Sequence, residues 1–385
     1  MKPVEAADAW PLKCYVVLLA VCAFAVLILM PGLVGALVEN RGYDPAGAGQ
    51  VGAANLAGIA LTSLLGFFTV DRWHLRLTTV LGAGLVLVMQ LLCTQVLSLP
   101  LLIGLQFLAG VGGGLMVVSG LGVLGSLKNP DSVASLMLVG QLGFGVLFYQ
   151  FLGPLLALYS VTGLFVVLAL LAVPLLLCVG VMPVRSFSER APQADAPLLK
   201  ILSLGAVLIL IAELLMYTAN TAVYAYLDRI GTGGGLASEV VNDTLSLTNL
   251  SAMLGGLAVA YWGTRLGRQL PVIAALSVMA VSFGGLHLFA SAAQYKLFSC
   301  LVLTSLCIAM PYVIGLLVEL DPSGRLASLS NCLVSVGAAL GPFAGGMLLV
   351  GQSGFPVLLA VCAVVILLAL FLLFVGIGTN RHFSF

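Results

Sequence analysis

Charged residues are scarce in this sequence. Only 8% of its 385 residues are Asp, Glu, Lys or Arg, and the net charge is +1, whereas about a quarter of the residues of an average soluble domain are charged. A nucleic-acid-binding surface needs a concentration of basic residues, so we expect no nucleic-acid partner. The scarcity also leaves none of the paired carboxylates that acid-base enzymes use.

The residue patterns of metal and redox sites are absent as well. None of the eight cysteines belongs to a C-x-x-C pair. All eight fall in or at the edge of apolar runs, where we expect them to be small packing residues. Since no nucleophile constellation is present either, the sequence predicts neither an enzyme nor a metal or cofactor site.

Long apolar runs are the abundant feature. Hydrophobic residues make up 61% of the chain, the mean hydropathy is +1.20, and a helix that crosses a bilayer needs about 20 apolar residues. The sequence therefore predicts an integral membrane protein that is surrounded by the lipid bilayer. Twelve spans are predicted, over about 12–37, 49–70, 75–96, 99–124, 132–157, 160–182, 199–228, 240–262, 270–290, 295–318, 325–350 and 353–377.

The longest connector divides these spans into two sets of six. It covers 183–198, contains prolines and charges, and separates an N-terminal half (1–182) from a C-terminal half (199–385). With both termini on one side of the membrane, twelve of the 15 basic residues fall on that side. The positive-inside rule then places the termini and the connector in the cytoplasm. The compactness of the chain favours a bacterial inner membrane.

A short charged hinge lies between the second and third predicted spans. Asp71, Arg72 and Arg76 match the Asp, the first Arg and the last basic position of a Gly-x-x-x-Asp-Arg-x-Gly-Arg-Arg hinge, while His74 and Leu75 depart from it. This hinge is the hallmark of the major facilitator superfamily, which the chain resembles along its whole length. The resemblance implies an all-α membrane fold of twelve helices in two pseudo-symmetric halves, and secondary transport.

The hinge recurs between the eighth and ninth predicted spans. Arg265, Gly267 and Arg268 match the pattern, and Thr264 stands at the acidic position. In the family the hinge residues hold the halves together on the cytoplasmic side in one conformation and release them in the other. The resemblance thus implies gating roles for the Asp and the four Arg residues of the two hinges. The alternative is that the four arginines are ordinary positive-inside anchors.

The eleventh predicted span contains a Gly-x-x-x-Gly-Pro-x-x-Gly-Gly pattern from Gly337 to Gly346. We expect Gly341 and Pro342 to bend the helix, because proline removes one backbone hydrogen bond, and the small residues to admit a neighbouring helix. Gly153 and Pro154 are the counterpart in the fifth span. The pattern resembles the fifth-span antiporter signature of drug and solute exporters in the family. In this chain the complete pattern lies in the C-terminal half. It therefore either marks an antiporter or serves only as a bend for helix packing.

The fourth predicted span departs from the proton-driven exporters. Where these usually carry an Arg four residues before a Gly, this chain has Gln106 before Gly110. Either coupling uses another residue or the transporter does not use protons. Two further intramembrane amides, Asn55 and Gln90, are expected to be structural.

Glu213, in the seventh predicted span, is the main chemical candidate. It lies about 20 Å beyond Lys200, near the bilayer midplane, where a carboxylate is costly unless it is paired, hydrated or protonated. At 100° per residue, Tyr217, Asn220 and Tyr224 share one stripe with it, which we expect to face a central cavity and bind substrate. The alternative is a Glu held neutral by hydrogen bonds between helices.

Other candidates for substrate contacts lie in the fifth and eleventh spans. They are Gln141, Tyr149 and Gln150 in the fifth, and Asn331 and Ser335, which share one face of the eleventh. Such residues also serve as hydrogen-bonding groups between helices, and both interpretations stay open.

The sequence thus predicts secondary active transport of a small organic solute by alternating access, with proton-coupled efflux preferred and a monomer expected. The missing fourth-span Arg supports a rival, uptake or facilitated diffusion. A rival of another class is a membrane sensor that does not transport. A predicted cavity with one acid and no committed Arg argues against a multiply anionic solute.

Overall fold

The protein is described by a computed structural model over residues 10–69, 74–124, 130–184, 202–263, 265, 267–321, 325–349 and 354–379. Within these ranges every regular element is helical. Among the described residues, eleven helical segments are long and apolar enough to cross a bilayer, and one of these segments, Ser132–Leu177, has 46 residues and covers two predicted spans. The prediction of an all-α fold with twelve spans is confirmed.

The chain divides into two compact units, Met1–Ala191 and Pro192–Phe385. The helices of the first unit are α1 (Trp10–Ile28), α2 (Met30–Arg41), α3 (Pro45–Thr69), α4 (Leu75–Gln95), α5 (Leu99–Leu124), α6 (Pro130–Leu170) and α7 (Ala172–Leu177), followed by a 3-10 turn at Val179–Val181. Those of the second unit are α8 (Leu204–Ala225), α9 (Leu227–Gly233), α10 (Ser238–Trp262), α11 (Gln269–Leu288), α12 (Ala292–Leu320), α13 (Arg325–Leu349) and α14 (Gly354–Gly378).

Local signals begin and end several of these helices. The hydroxyl of Ser203 accepts a hydrogen bond from the amide of Ala206 at 3.2 Å and so caps α8. Gly42 ends α2 with a left-handed φ of 68°, a conformation that glycine adopts without a steric cost. Between these ends the helices satisfy their own backbone groups, as a segment in hydrocarbon must.

The first predicted span is broken in two at Leu29. The break leaves backbone groups near the junction of α1 and α2 in need of partners. The hydroxyl of Tyr149, from α6, lies 3.2 Å from the carbonyl of Ile28 and 3.4 Å from the amide of Gly32. One tyrosine hydroxyl therefore serves both sides of the break.

The seventh predicted span is broken in the same manner at Tyr226, between α8 and α9. The hydroxyl of Tyr295, from α12, donates to the carbonyl of Leu227 at 2.8 Å. Tyr226 itself is buried and donates to the carbonyl of Pro342 at 3.1 Å. The first span of each half is thus a broken helix whose break is held by a tyrosine of another helix.

The fifth and sixth predicted spans are joined by a sharp backbone turn rather than by a loop. Ser160, within α6, has φ 56° and ψ −163°, a region that is essentially reserved for glycine. The neighbouring Leu158 and Tyr159 are 74% and 64% exposed. The two spans therefore reverse direction at a strained serine.

Candidate functional site

Glu213 lies deep in α8 with only 1% of its surface exposed. The helix begins at Leu204, so Glu213 lies about 14 Å along it, close to half of a hydrocarbon core of about 30 Å. The hydroxyl of Ser330, from α13, donates to its Oε1 at 2.7 Å. Its Oε2 has no hydrogen-bond partner among the described residues. The carboxyl group thus has one donor and one oxygen to which a proton or a ligand could bind.

Small residues of α13 bring this helix against α8. A Cβ atom built on Gly341 would lie 2.0 Å from Oγ1 of Thr221, and one built on Gly337 would lie 2.9 Å from Cβ of Tyr217. Any larger side chain would push the helices apart. The glycines of the eleventh-span pattern therefore allow the close approach that places Ser330 beside the carboxyl group.

The other residues of the predicted α8 stripe make contacts within the second unit. Tyr217 is half-buried and packs on α13. Asn220 is fully buried; its Nδ2 donates to the carbonyl of Val302 at 2.9 Å, and its Oδ1 has no partner in the described part of the chain. The hydroxyl of Tyr224 accepts from Nδ2 of Asn249 at 3.5 Å. These amide and phenol groups hold α8 against α10 and α12.

The fifth-span candidates differ in their surroundings. Tyr149 is 1% exposed, and its hydroxyl lies at the break between α1 and α2. Gln141 is half-buried and Gln150 is exposed. Contact with a substrate remains a prediction for these three residues.

The eleventh-span candidates lie on α13 beyond Ser330. Asn331 is exposed, and its carbonyl accepts a hydrogen bond from the hydroxyl of Ser335 at 3.1 Å. A serine that bonds back to the preceding turn is a common feature of helices in membranes. Substrate contact by this pair also remains a prediction.

Comparison with known families decides what kind of protein carries this site. The model of the Major Facilitator Superfamily matches residues 15–322. The chain belongs to this superfamily. It is therefore an integral membrane protein that transports solutes, and not an enzyme. No curated protein matches the sequence significantly.

Solved structures share the major facilitator fold. The nucleoside transporter NupG, in a mutant form, is 14% identical over 96% of this chain and 100% of that one, with a TM-score of 0.71. The xylose transporter XylE from E. coli, in a partially occluded inward-open conformation, is 12% identical over 94% of this chain and 96% of that one, with a TM-score of 0.75. At such identities the likeness establishes the fold alone.

The superfamily hinge is only partly within the described residues. Asp71 and Arg72 lie outside them. Arg76 donates from Nε to the carbonyl of Met182 at 2.9 Å and from Nη2 to that of Gly180 at 3.1 Å. Arg76 thus binds the carbonyl end of the sixth span, where a helix end favours a cation.

The two arginines of the second hinge have different environments. Arg268 donates to the carbonyl of Gly315 at 2.7 Å and forms an ion pair with Glu319, both on α12. Arg265 is exposed, and its Cζ lies 5.7 Å from the ring centroid of Tyr261. The contacts of Arg268 stay within its own half, and a gating role for either arginine remains a prediction.

Gln106, which replaces the family's fourth-span Arg, is fully buried in a cluster of amides. Its Nε2 donates to Oε1 of Gln90 at 2.9 Å, and its Oε1 accepts from Nδ2 of Asn55 at 3.1 Å. The backbone at Asn55 is in close contact with α5, since a Cβ atom on Gly110 would lie 1.9 Å from the carbonyl oxygen of Asn55. The side chain of Gln106 thus stands where other family members have an arginine, and its hydrogen bonds connect α3, α4 and α5.

Prolines lie inside both helices for which bends were predicted. Pro154 stands within α6 and Pro342 within α13, each next to its glycine, Gly153 or Gly341. The carbonyl of Pro342 is bound by the hydroxyl of Tyr226. A bend that takes part in transport remains a prediction for both Gly-Pro pairs.

Sequence reasoning missed Ser330, the hydrogen-bond donor to Glu213. Serine is common in membrane helices, and the two residues are 117 positions apart. A signal was available in the glycines of the eleventh span, which indicate a close neighbour for α13 without identifying it. Among the described residues, no group of three or more His, Cys, Asp and Glu side chains is placed to hold a metal.

Proposed function

We propose that this transporter exports a small organic solute in exchange for protons, and that Glu213 is the coupling residue. The supporting observation is a carboxyl group that is buried in a membrane span, forms one hydrogen bond, and has no ion pair with a described Lys or Arg. Intramembrane acids of this kind are usually functional, because their burial has a free-energy cost. We also propose that the protein is a monomer in a bacterial inner membrane and that both of its termini lie in the cytoplasm.

The Ser330 hydroxyl suits such a role, because it donates to one oxygen and leaves the other for a proton. Binding and release of a proton at Oε2 would then require no change in the contact between α8 and α13. When the carboxyl group loses its proton, water or a cationic part of the solute would have to compensate the charge. Solute transport is coupled to proton transport if the solute and the proton cannot occupy the Glu213 carboxyl group at the same time.

Uptake or facilitated diffusion is the second candidate, and Gln106 favours it. The buried amides around Gln106 leave the fourth span without its usual ionisable group, and the fold is shared with a nucleoside and a xylose transporter. Those solutes are neutral and polar. A sensor that does not transport is the remaining alternative.

The test begins with the thermal stability of the purified protein in the presence of uridine, xylose or tetraphenylphosphonium. A solute that binds only the folded state raises the unfolding temperature with the logarithm of its concentration. The stabilising solute is then added outside proteoliposomes that contain a pH-sensitive dye. Exchange predicts a proton flux opposite to the solute flux. Solute flux without proton movement would support facilitated diffusion, and binding without flux would support the sensor.

A further inference from the structure

An apolar groove lies between α10, α11 and α12 in the second unit, and we call it the lateral groove. Its volume is about 390 Å³. Its walls are carbon-rich and include Val259, Trp262, Leu270, Ala274, Val278 and Ile308. Leu270, Ala274 and Val278 are exposed residues of α11. The lateral groove is therefore an open surface feature of this half.

The lateral groove begins at the second hinge. Trp262 is the last residue of α10 and Leu270 is the second of α11. From Leu270 to Val278 the groove extends about 12 Å along α11, which is most of the hydrocarbon thickness of one leaflet, about 15 Å. Tyr312, in the groove wall, donates to the carbonyl of Gly263 at 2.8 Å and so holds the hinge at this end.

A cation that pairs with no described carboxylate lies at the hinge end. Arg265 is exposed and forms no ion pair with a described carboxylate, whereas Arg268 is neutralised by Glu319. The backbone amide of Arg265 donates to the carbonyl of Trp262 at 3.3 Å, which places the residue next to the groove wall.

Exposed aromatic residues mark the same end as an interface with lipid headgroups. Tyr261 is 74% exposed and Trp262 is 51% exposed, and aromatic side chains concentrate at the headgroup level of membrane proteins. The groove below them thus lies at the level of the acyl chains. The hinge above them lies at the level of the phosphates.

We propose that the lateral groove binds one acyl chain of an anionic glycerophospholipid whose phosphate pairs with Arg265. The lipid belongs to the leaflet that contains the hinge, which the distribution of basic residues predicts to be cytoplasmic. The apolar wall fits a hydrocarbon chain, and the exposed guanidinium fits a phosphate.

A polar solute is a poorer occupant of this groove. Sites for such molecules carry a few polar groups that orient the ligand. The hydroxyl of Thr304, in the groove wall, already donates to that of Ser251 at 3.0 Å. Neither Glu213 nor Ser330 belongs to the wall of the lateral groove.

The first test is native mass spectrometry of the full-length protein with added phosphatidylglycerol or phosphatidylcholine of identical chains. We expect the wild type to retain phosphatidylglycerol about fivefold better, the preference that one basic residue near an anionic headgroup confers. Ala274→Trp should fill the groove and abolish retention of both lipids. Arg265→Gln should remove the preference and leave chain binding intact.

Two matched variants control for general effects. Val281→Trp adds the same side chain to an exposed position two turns further along α11, and Lys296→Gln removes a cation near the start of α12. Both should retain phosphatidylglycerol as the wild type does. Equal retention of the two lipids by the wild type, or equal loss in Val281→Trp and Ala274→Trp, would overturn the proposal.

A second measurement does not need the groove to be filled. In a Trp10→Phe, Trp73→Phe background, Trp262 is the one remaining tryptophan, and lipids with brominated chains quench its fluorescence on contact. We expect brominated phosphatidylglycerol to quench at about fivefold lower concentration than brominated phosphatidylcholine. Arg265→Gln should equalise the two lipids. Identical quenching curves in the parent protein would show a surface that selects no headgroup and would contradict the proposal.

Discussion

At the scale of single residues, buried hydroxyl groups complete the hydrogen bonding of broken helices. A break leaves carbonyl groups without their intrahelical donors, and no water is available in hydrocarbon to replace them. Tyr149 and Tyr295 supply the donors in the two halves. Each tyrosine reaches the break from a neighbouring helix. Its position along that helix, and the direction of its side chain, are therefore fixed by the carbonyl to which it donates.

Tyr149→Phe should therefore destabilise the protein, by about 1 kcal/mol, because it removes the hydroxyl and leaves the carbonyl of Ile28 without this donor. The measurement is the unfolding temperature of the purified protein in detergent. Tyr159→Phe is the matched control, since Tyr159 is 64% exposed. An equal effect of the two substitutions would mean that the buried hydroxyl does not hold the break.

Single residues are also where sequence reasoning had the least information. The depth of Glu213 could be predicted from hydropathy and the helical rise. Its donor, Ser330, could not, because the contact depends on how α8 and α13 are rotated against each other. Likewise, the sequence showed Gln106 where the family has Arg, but only packing shows that Gln90 and Asn55 bind this amide.

At the scale of helices, the existence of each span was easier to predict than its interruptions. Runs of about 20 apolar residues are sufficient evidence for a span. The breaks at Leu29 and Tyr226 fall inside such runs, so hydropathy does not reveal them. The tight reversal at Ser160 was expected as a short gap between two spans, and the structure shows one residue in a glycine-like conformation instead.

Ser160→Gly should stabilise the protein. Replacing serine with glycine relieves backbone strain of about 1–3 kcal/mol at this φ and ψ. Glycine also makes the unfolded chain more flexible, which offsets part of this stabilisation. The expected net effect is about 1 kcal/mol, read as a higher unfolding temperature. Ser277→Gly, in the regular interior of α11, is the control and should lower it. If Ser160→Gly lowers it as well, the serine is not strained.

Replacing Gly341 with Ala and Pro342 with Leu should impair exchange between the two orientations of the transporter. The added Cβ at position 341 would collide with Thr221, and the lost proline would restore a backbone hydrogen bond. Accessibility of introduced cysteines from each side of the membrane measures the exchange. Gly284→Ala, where a Cβ atom would meet nothing within 4 Å, is the control. Unchanged accessibility in the double variant would make the Gly-Pro pair incidental to transport.

At the scale of the whole molecule, the superfamily and the twelve spans could be predicted because both depend on long patterns. Hydropathy and the recurrence of the hinge extend over hundreds of residues. Direction, coupling ion and solute depend instead on a few side chains.

Asp71→Asn should slow transport and leave solute binding largely intact, because the residue matches the gate position of the superfamily hinge. Solute affinity and proteoliposome flux are measured on one preparation. Asp243→Asn, on the opposite side of the membrane in the predicted topology, serves as the control for loss of a carboxylate. Normal flux in Asp71→Asn would reduce the hinge to a topology signal.

Accumulation of solute driven by a pH gradient shows whether Glu213 couples solute transport to protons. Proteoliposomes with wild-type protein should accumulate the stabilising solute when the gradient is imposed. Glu213→Gln keeps the shape of the side chain and an oxygen for Ser330, so it should abolish this accumulation and retain exchange of labelled solute that does not depend on pH. Glu239→Gln, at the exposed start of α10, should behave as the wild type. A Glu213→Gln protein with normal accumulation and a normal pH profile would show that Glu213 only packs between helices and does not couple transport to protons.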